Sequence, residues 1–114
     1  MNTFITVKPY SVIGEVVEVA SEVFGVPYEE LIHPHRTKEV ASYARYAINY
    51  ICKEYLNLPQ AYIAKQLSLT RTTMYYYDTR HKQNQRSRFY SRSLWHMIET
   101  LKDRGVLHGN WEQQ

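Results

Sequence analysis

Thr70, Arg71, Thr72, Thr73, Tyr75, Tyr76 and Thr79 form a set of hydrogen-bonding and aromatic side chains within ten residues, and one of them is a guanidinium. The stretch offers no carboxylate pair and no nucleophile beside a base, so its chemistry is recognition rather than bond breaking. A guanidinium can fork onto a guanine edge. Hydroxyls and phenols can bond phosphate, and a ring can lie against sugar or a thymine methyl group. Lys65, Arg80, Lys82, Arg86 and Arg88 surround the set with charges suited to neutralising phosphates. The pattern predicts double-stranded DNA as the partner.

Two short helices must position these groups. Residues Gln60 to His81 read as a helical pair beginning at Pro59, since proline lacks only an N–H that the first helical position leaves unbonded. Ile63, Ala64 and Leu67 mark one apolar face, and Ser68-Leu69-Thr70 interrupts it. Thr70 is a suitable N-cap for a second helix whose Met74 and Tyr77 face back onto the first. A small residue at the crossing, a turn and an inward-facing second helix predict a helix-turn-helix over about 59–81. The bland alternative is a helical hairpin with a wet face. Tyr75, Tyr76 and Tyr77 cannot all be core, because successive helical residues are ~100° apart. If Tyr77 packs inward, Tyr75 or Tyr76 faces outward.

Charge separates along the chain. Residues 1–35 carry one cation, Lys8, against five glutamates; residues 55–98 carry seven cations, the five above with Arg71 and Arg92, against Asp78 alone. A basic half centred on the expected recognition helix is the footprint of polyanion binding, whereas a merely solubilising face mixes both signs. The single cysteine, Cys52, excludes an internal disulfide framework; on a core helix it reads as a small buried thiol. No signal-peptide pattern and no run of ~20 apolar residues is present, so the expectation is a cytoplasmic protein of a bacterial cell, encoded by the bacterium or a phage, without membrane contact.

The 114 residues predict one all-α domain, a small bundle of about five to six helices. Residues 1–10 read as an extended arm or a first helical turn. Ser11 caps a helix to about Phe24 with Val12, Val16, Val19, Ala20 and Val23 as its apolar stripe, ended by Gly25. A helical turn starts at Pro27. His33 to Lys38 is a loop, because Pro34 disfavours helix at His33. His33 and His35 lack a second ligand cluster, so no metal is expected, nor any cofactor; Arg36 and Lys38 in this basic loop suit phosphate. The longest helix runs from about Lys38 to Tyr55, with Val40, Tyr43, Ala44, Ala47, Ile48, Ile51, Cys52 and Tyr55 facing inward and Arg45 and Asn49 on or near its flank. Residues 81–88 read as a loop or an exposed helical start. Phe89, Tyr90, Leu94, Trp95, Ile98 and Leu101 then follow a helical period, with Gly105 as the stop and 106–114 as a tail or short cap.

Several local strings resemble the C-terminal DNA-binding domain of DnaA-type replication initiators, a helical fold akin to Trp repressor. The resemblance runs from Val16 through Phe24-Gly25-Val26-Pro27-Tyr28-Glu29-Glu30-Leu31, the loop Arg36-Thr37-Lys38-Glu39-Val40, Ala44-Arg45, Tyr50-Ile51-Cys52-Lys53-Glu54-Tyr55, Leu58-Pro59 and Ile63-Ala64. The family's Asp-His-Thr-Thr-Val signature falls on Thr70-Arg71-Thr72-Thr73-Met74. By that resemblance Arg36 and Lys38 touch the minor groove, and Thr72 and Thr73 contact DNA from the helix start. Thr70-Arg71 replaces the Asp-His pair, the turn is one residue shorter, and one extra residue lies between Glu39 and Ala44-Arg45. The changed signature argues against assuming the initiators' own recognition sequence. There is no Gly-rich Lys-Ser/Thr phosphate loop, hence no ATPase portion.

The expected function is therefore non-enzymatic, sequence-specific duplex binding in replication or transcription control, as in a small phage or mobile-element regulator. The competing reading is a helical protein-interaction module of a DNA-associated complex. In it, the acidic first helix or the aromatic last helix carries a protein partner or a second copy of the chain. A nuclease or recombinase reading fares poorly, because the chain offers no carboxylate cluster for Mg²⁺ and no Arg/His/Tyr set at a recognisable spacing.

Overall fold

In a computed structural model, residues 12–32 and 39–107 are described, apart from the side chain of Arg71. They form six α-helices: α1 (Val12–Phe24), α2 (Tyr28–Ile32), α3 (Glu39–Tyr50), α4 (Gln60–Gln66), α5 (Arg71–Gln83) and α6 (Arg88–Asp103). No strand occurs among the described residues. None of their helices is long and apolar enough to cross a membrane. The fold is all-α, as the periodicity predicts.

Helix α3 is the centre. It packs against both α1 and α5, while α6 packs against α1. Ala41, Ala44 and Ala47 are small enough to let neighbours approach closely, and Ile48 and Ile51 are fully buried. Burying an isoleucine contributes roughly 1.5–3 kcal/mol. Being packed by two helices, α3 is buried around most of its circumference, and this corrects the expected stripe: Val40 is exposed, Ala41 is core, and Arg45 and Asn49 are buried rather than flanking. Beyond Tyr50 the helix widens into a π-helical turn, Ile51–Tyr55, where Leu56 N–H reaches Ile51 O at 3.2 Å. Asn57 then adopts φ +54°, a conformation asparagine tolerates.

Similar offsets occur in the outer helices. In α1, Ile13, Val16, Val17, Val19, Ala20 and Phe24 are buried, and Val12 is exposed. In α6, Tyr90, Leu94, Met97, Ile98 and Leu101 are buried, whereas Phe89 and Trp95 stand outside. Leu94, Ile98 and Leu101 define the inward stripe at i, i+4 and i+7. Met97 falls within it and Trp95 ~100° off it. Both expected glycine stops hold: Gly25 has φ +69° and Gly105 φ +79°, with Val26 N–H bonding Ser21 O (3.1 Å) and Val106 N–H bonding Leu101 O (2.9 Å). Leu107 is buried, so the start of the 106–114 segment is a cap.

The stretch 81–88 is neither plain loop nor helix start. Helix α5 continues to Gln83, a 3-10 turn follows at Asn84–Arg86, and Ser87 caps α6 by accepting from Tyr90 N–H at 3.2 Å. His81 is buried here, stacked on Tyr50 at 4.0 Å, with Nδ1 2.7 Å from Tyr90 Oη and Nε2 2.7 Å from the Gln85 amide nitrogen. Burial lowers the His81 pKa; Lys53 and Lys82 add to this, while Asp78 and Glu54 oppose it. The unfolded chain, with an imidazole near 6.5, therefore takes up the proton first. Stability is whole above about pH 6.5 and falls as pH drops below it. We expect the urea midpoint to decline between pH 7 and 5, and His81→Gln to flatten that decline. An unchanged slope in the variant would remove His81 as its origin.

Candidate nucleic-acid interface

Helix α4 starts after Pro59, whose φ of −64° suits a helix start but whose ψ of 140° makes it the N-cap rather than the first helical residue. Its carbonyl accepts from Tyr62 N–H and Ile63 N–H. The helix ends at Gln66, and two residues on Ser68, a non-glycine residue, takes φ +59°; there Leu69 N–H bonds Ala64 O (2.8 Å) and Ser68 N–H bonds Lys65 O (3.3 Å). These bonds close the helix end and turn the chain sharply towards α5. Thr70 is the N-cap of α5, as expected: its hydroxyl accepts from Thr73 N–H at 3.1 Å and lies 2.9 Å from Thr73 Oγ1. Ile63, Ala64, Leu67, Met74 and Tyr77 are all buried, so both helices turn their expected faces inward.

What remains outward on α5 is the set singled out from the sequence. Thr72 and Thr79 are exposed, and Tyr75 and Tyr76 are 64% and 52% exposed. Thr70 is also exposed, and Thr73 is half-buried at the helix start. At 100° per residue, Thr72, Tyr75, Tyr76 and Thr79 share the face opposite Met74, Tyr77 and His81. The hydroxyl of Thr79 donates to Tyr75 O at 3.2 Å. Arg80 lies on the flank, its guanidinium 5.5 Å from the centre of the Tyr76 ring and donating to Gln83 Oε1 at 3.1 Å. Lys65, Lys82, Arg86 and Arg88 are exposed. Arg71 is the first residue of α5; its side chain, like Arg36, Lys38, His33 and His35, lies outside the described residues.

Asp78, the acid that breaks the basic run, does not reach this face. Its Oδ1 accepts from Asn49 Nδ2 at 2.8 Å and lies 3.1 Å from Lys53 Nζ, and its Oδ2 accepts from Gln60 Nε2 at 3.0 Å. Burial alone would raise its pKa, but the hydrogen bonds from Asn49, Lys53 and Gln60 outweigh it and hold the carboxyl below its usual value. One carboxylate thus joins α3, the π-helical turn, α4 and α5. The outer face of α5 carries no acid.

Arg45 is a second structural ion overlooked in the sequence. It is 3% exposed, with Nε donating to Leu31 O at 3.3 Å and Nη2 to Glu30 O. It also bonds the Tyr77 hydroxyl. An inward arginine fits here because the last carbonyls of α2 are unbonded within that helix. Neither Arg45 nor Asp78 has a local signature, since all these partners lie at least 14 residues away. The strongest hint was Asp78's isolation among cations.

The two helices named as protein-binding surfaces differ. Glu15, Glu18 and Glu22 of α1 all pair with Arg104 at the end of α6, at 2.9–3.2 Å, so the acidic stripe serves an internal contact. Exposed pairs of this kind contribute little individually. On α6, Phe89 meets Phe24 edge-on at 5.8 Å, and Trp95 is 57% exposed with Lys102 Nζ 5.9 Å from its ring. Cys52 is fully buried and its thiol is pushed up to about 12, which fits the inert reading. No group of metal-ligating side chains occurs among the described residues. No protein-family model matches the chain, and no curated protein or solved structure matches it significantly.

Proposed function

We propose that the chain binds double-stranded DNA as a helix-turn-helix domain, with α5 entering the major groove and flanking cations on the phosphates. One observation carries this reading. The outer face of α5 presents Thr72, Tyr75, Tyr76 and Thr79 to solvent, while the sole acid of residues 55–98 is turned inward and paired with Lys53. Such a face matches what groove contact requires: short donors, amphipathic rings and no like charge against phosphate. The DnaA-like strings agree with it and favour a role in replication or transcription control. Arg71, at the leading end of α5, is assigned to base reading, worth on the order of 1–3 kcal/mol for a bidentate guanine contact. Lys82 is assigned to phosphate.

The test is selection of bound duplexes from a random pool, followed by titration of selected and random duplexes over several salt concentrations. Arg71→Ala should bring the two affinities together. Lys82→Ala should weaken both alike and reduce the salt slope by about one. Absence of binding to any duplex at low salt would favour the protein-interaction reading, for which exposed Trp95 and Phe89 on α6 supply the surface.

A further inference from the structure

We propose that the groove between α3 and the turn leading into α5 is a phosphate site, seating one backbone phosphate of the duplex. The groove has a volume of about 510 Å³, and seven of its nine lining residues carry a hydroxyl while none is acidic. Ser42, Arg45 and Tyr46 form the α3 wall; Thr70, Thr73 and Tyr76 face them across it. Hydroxyls can donate to phosphate oxygens, and the acid-free lining presents neither repulsion to an anion nor ligands to a hard cation.

One cation, Arg45, lines the groove, and a second, Arg80, lies behind the Tyr76 ring. Arg45 is nearly fully buried, and its bonds to Glu30 O, Leu31 O and Tyr77 fix the position of its charge. Arg80 lies outside the lining with its guanidinium 5.5 Å from the centre of the Tyr76 ring, so it backs one of the lining tyrosines. Thr70, the N-cap, places the positive end of the 13-residue α5 dipole at the rim. Hydroxyls, guanidinium and helix dipole thus favour the same ligand chemistry, a phosphate group. The duplex is its source if α5 enters the groove, so the inference rests on that reading; a free phosphorylated small molecule is the other source.

The test uses the full chain with Ser42→Asp and its neutral isostere Ser42→Asn. Ser42 lies near the start of α3, where an added carboxylate is compatible with the helix dipole, and thermal melts check that both variants fold. Duplexes carrying a single neutral methylphosphonate at successive positions report which phosphate matters. Ser42→Asp should lose on the order of tenfold in duplex affinity, and Ser42→Asn, which loses the hydroxyl but keeps a neutral donor, clearly less. One methylphosphonate position should weaken the wild type yet leave Ser42→Asp unaffected. If wild type and Ser42→Asp bind duplex equally, the groove is not a phosphate site while the α5 reading stands. If the wild type binds no duplex, the α5 reading fails. AMP that then shifts the Ser42 and Thr70 amide resonances supports the groove with a free phosphate source, and AMP that shifts neither overturns it.

Discussion

Arg45→Ala should destabilise the fold by about 3–5 kcal/mol, a large share of the roughly 5–15 kcal/mol available to a domain of this size. The substitution removes both donors to the Glu30 and Leu31 carbonyls and the partner of Tyr77, and it empties a buried site. Each buried acceptor left unpaired costs ~1–3 kcal/mol, and the cavity adds to that. Arg45→Lys should recover only part of the loss, because an ammonium cannot span the two carbonyls with a rigid fork. Urea unfolding of the three proteins measures the difference. A loss below about 1 kcal/mol for Arg45→Ala would show that water satisfies those carbonyls as well as the guanidinium does.

Thr72→Glu should abolish most duplex binding while leaving the fold intact. Position 72 is exposed and lies in the first turn of α5, where a carboxylate is favoured by ~0.3–1 kcal/mol through the helix dipole. Set against a phosphate, the same charge costs several kcal/mol, so affinity should fall by at least about 100-fold at moderate salt. Thr72→Gln, of nearly the same shape without the charge, should lose far less. Fluorescence-anisotropy titrations of both variants decide the matter, with a melt to confirm folding. Affinity within about twofold of wild type for Thr72→Glu would exclude the outer face of α5 as the contact surface.

Features encoded by neighbouring residues were readable from the chain itself. The Thr70 cap, the Gly25 and Gly105 stops and the inward Met74 and Tyr77 each follow from a local rule, and each appears in the fold. The outward placement of Tyr75 and Tyr76 follows from the helix repeat alone. Arg45, Asn49 and Asp78 were not readable in this way. A polar residue on a helix reads as solvent-facing unless partners from elsewhere in the chain can be foreseen, and here they come from α2, α4 and α5. The π-helical turn was equally hidden, because its residues continue the composition of α3 without a break. Val12 and Val40 were misplaced by periodicity because both stand near helix starts, where a stripe has fewer neighbours to cover it.

The carboxylate of Asp78 ties the inner side of α5 to three other segments, so tilting or sliding that helix by itself would break all three contacts. A helix held this way offers a ligand one fixed profile. If that ligand is a duplex, adaptation falls to the nucleic acid, and base steps that bend or widen at low energetic cost would be preferred even where no side chain reaches them.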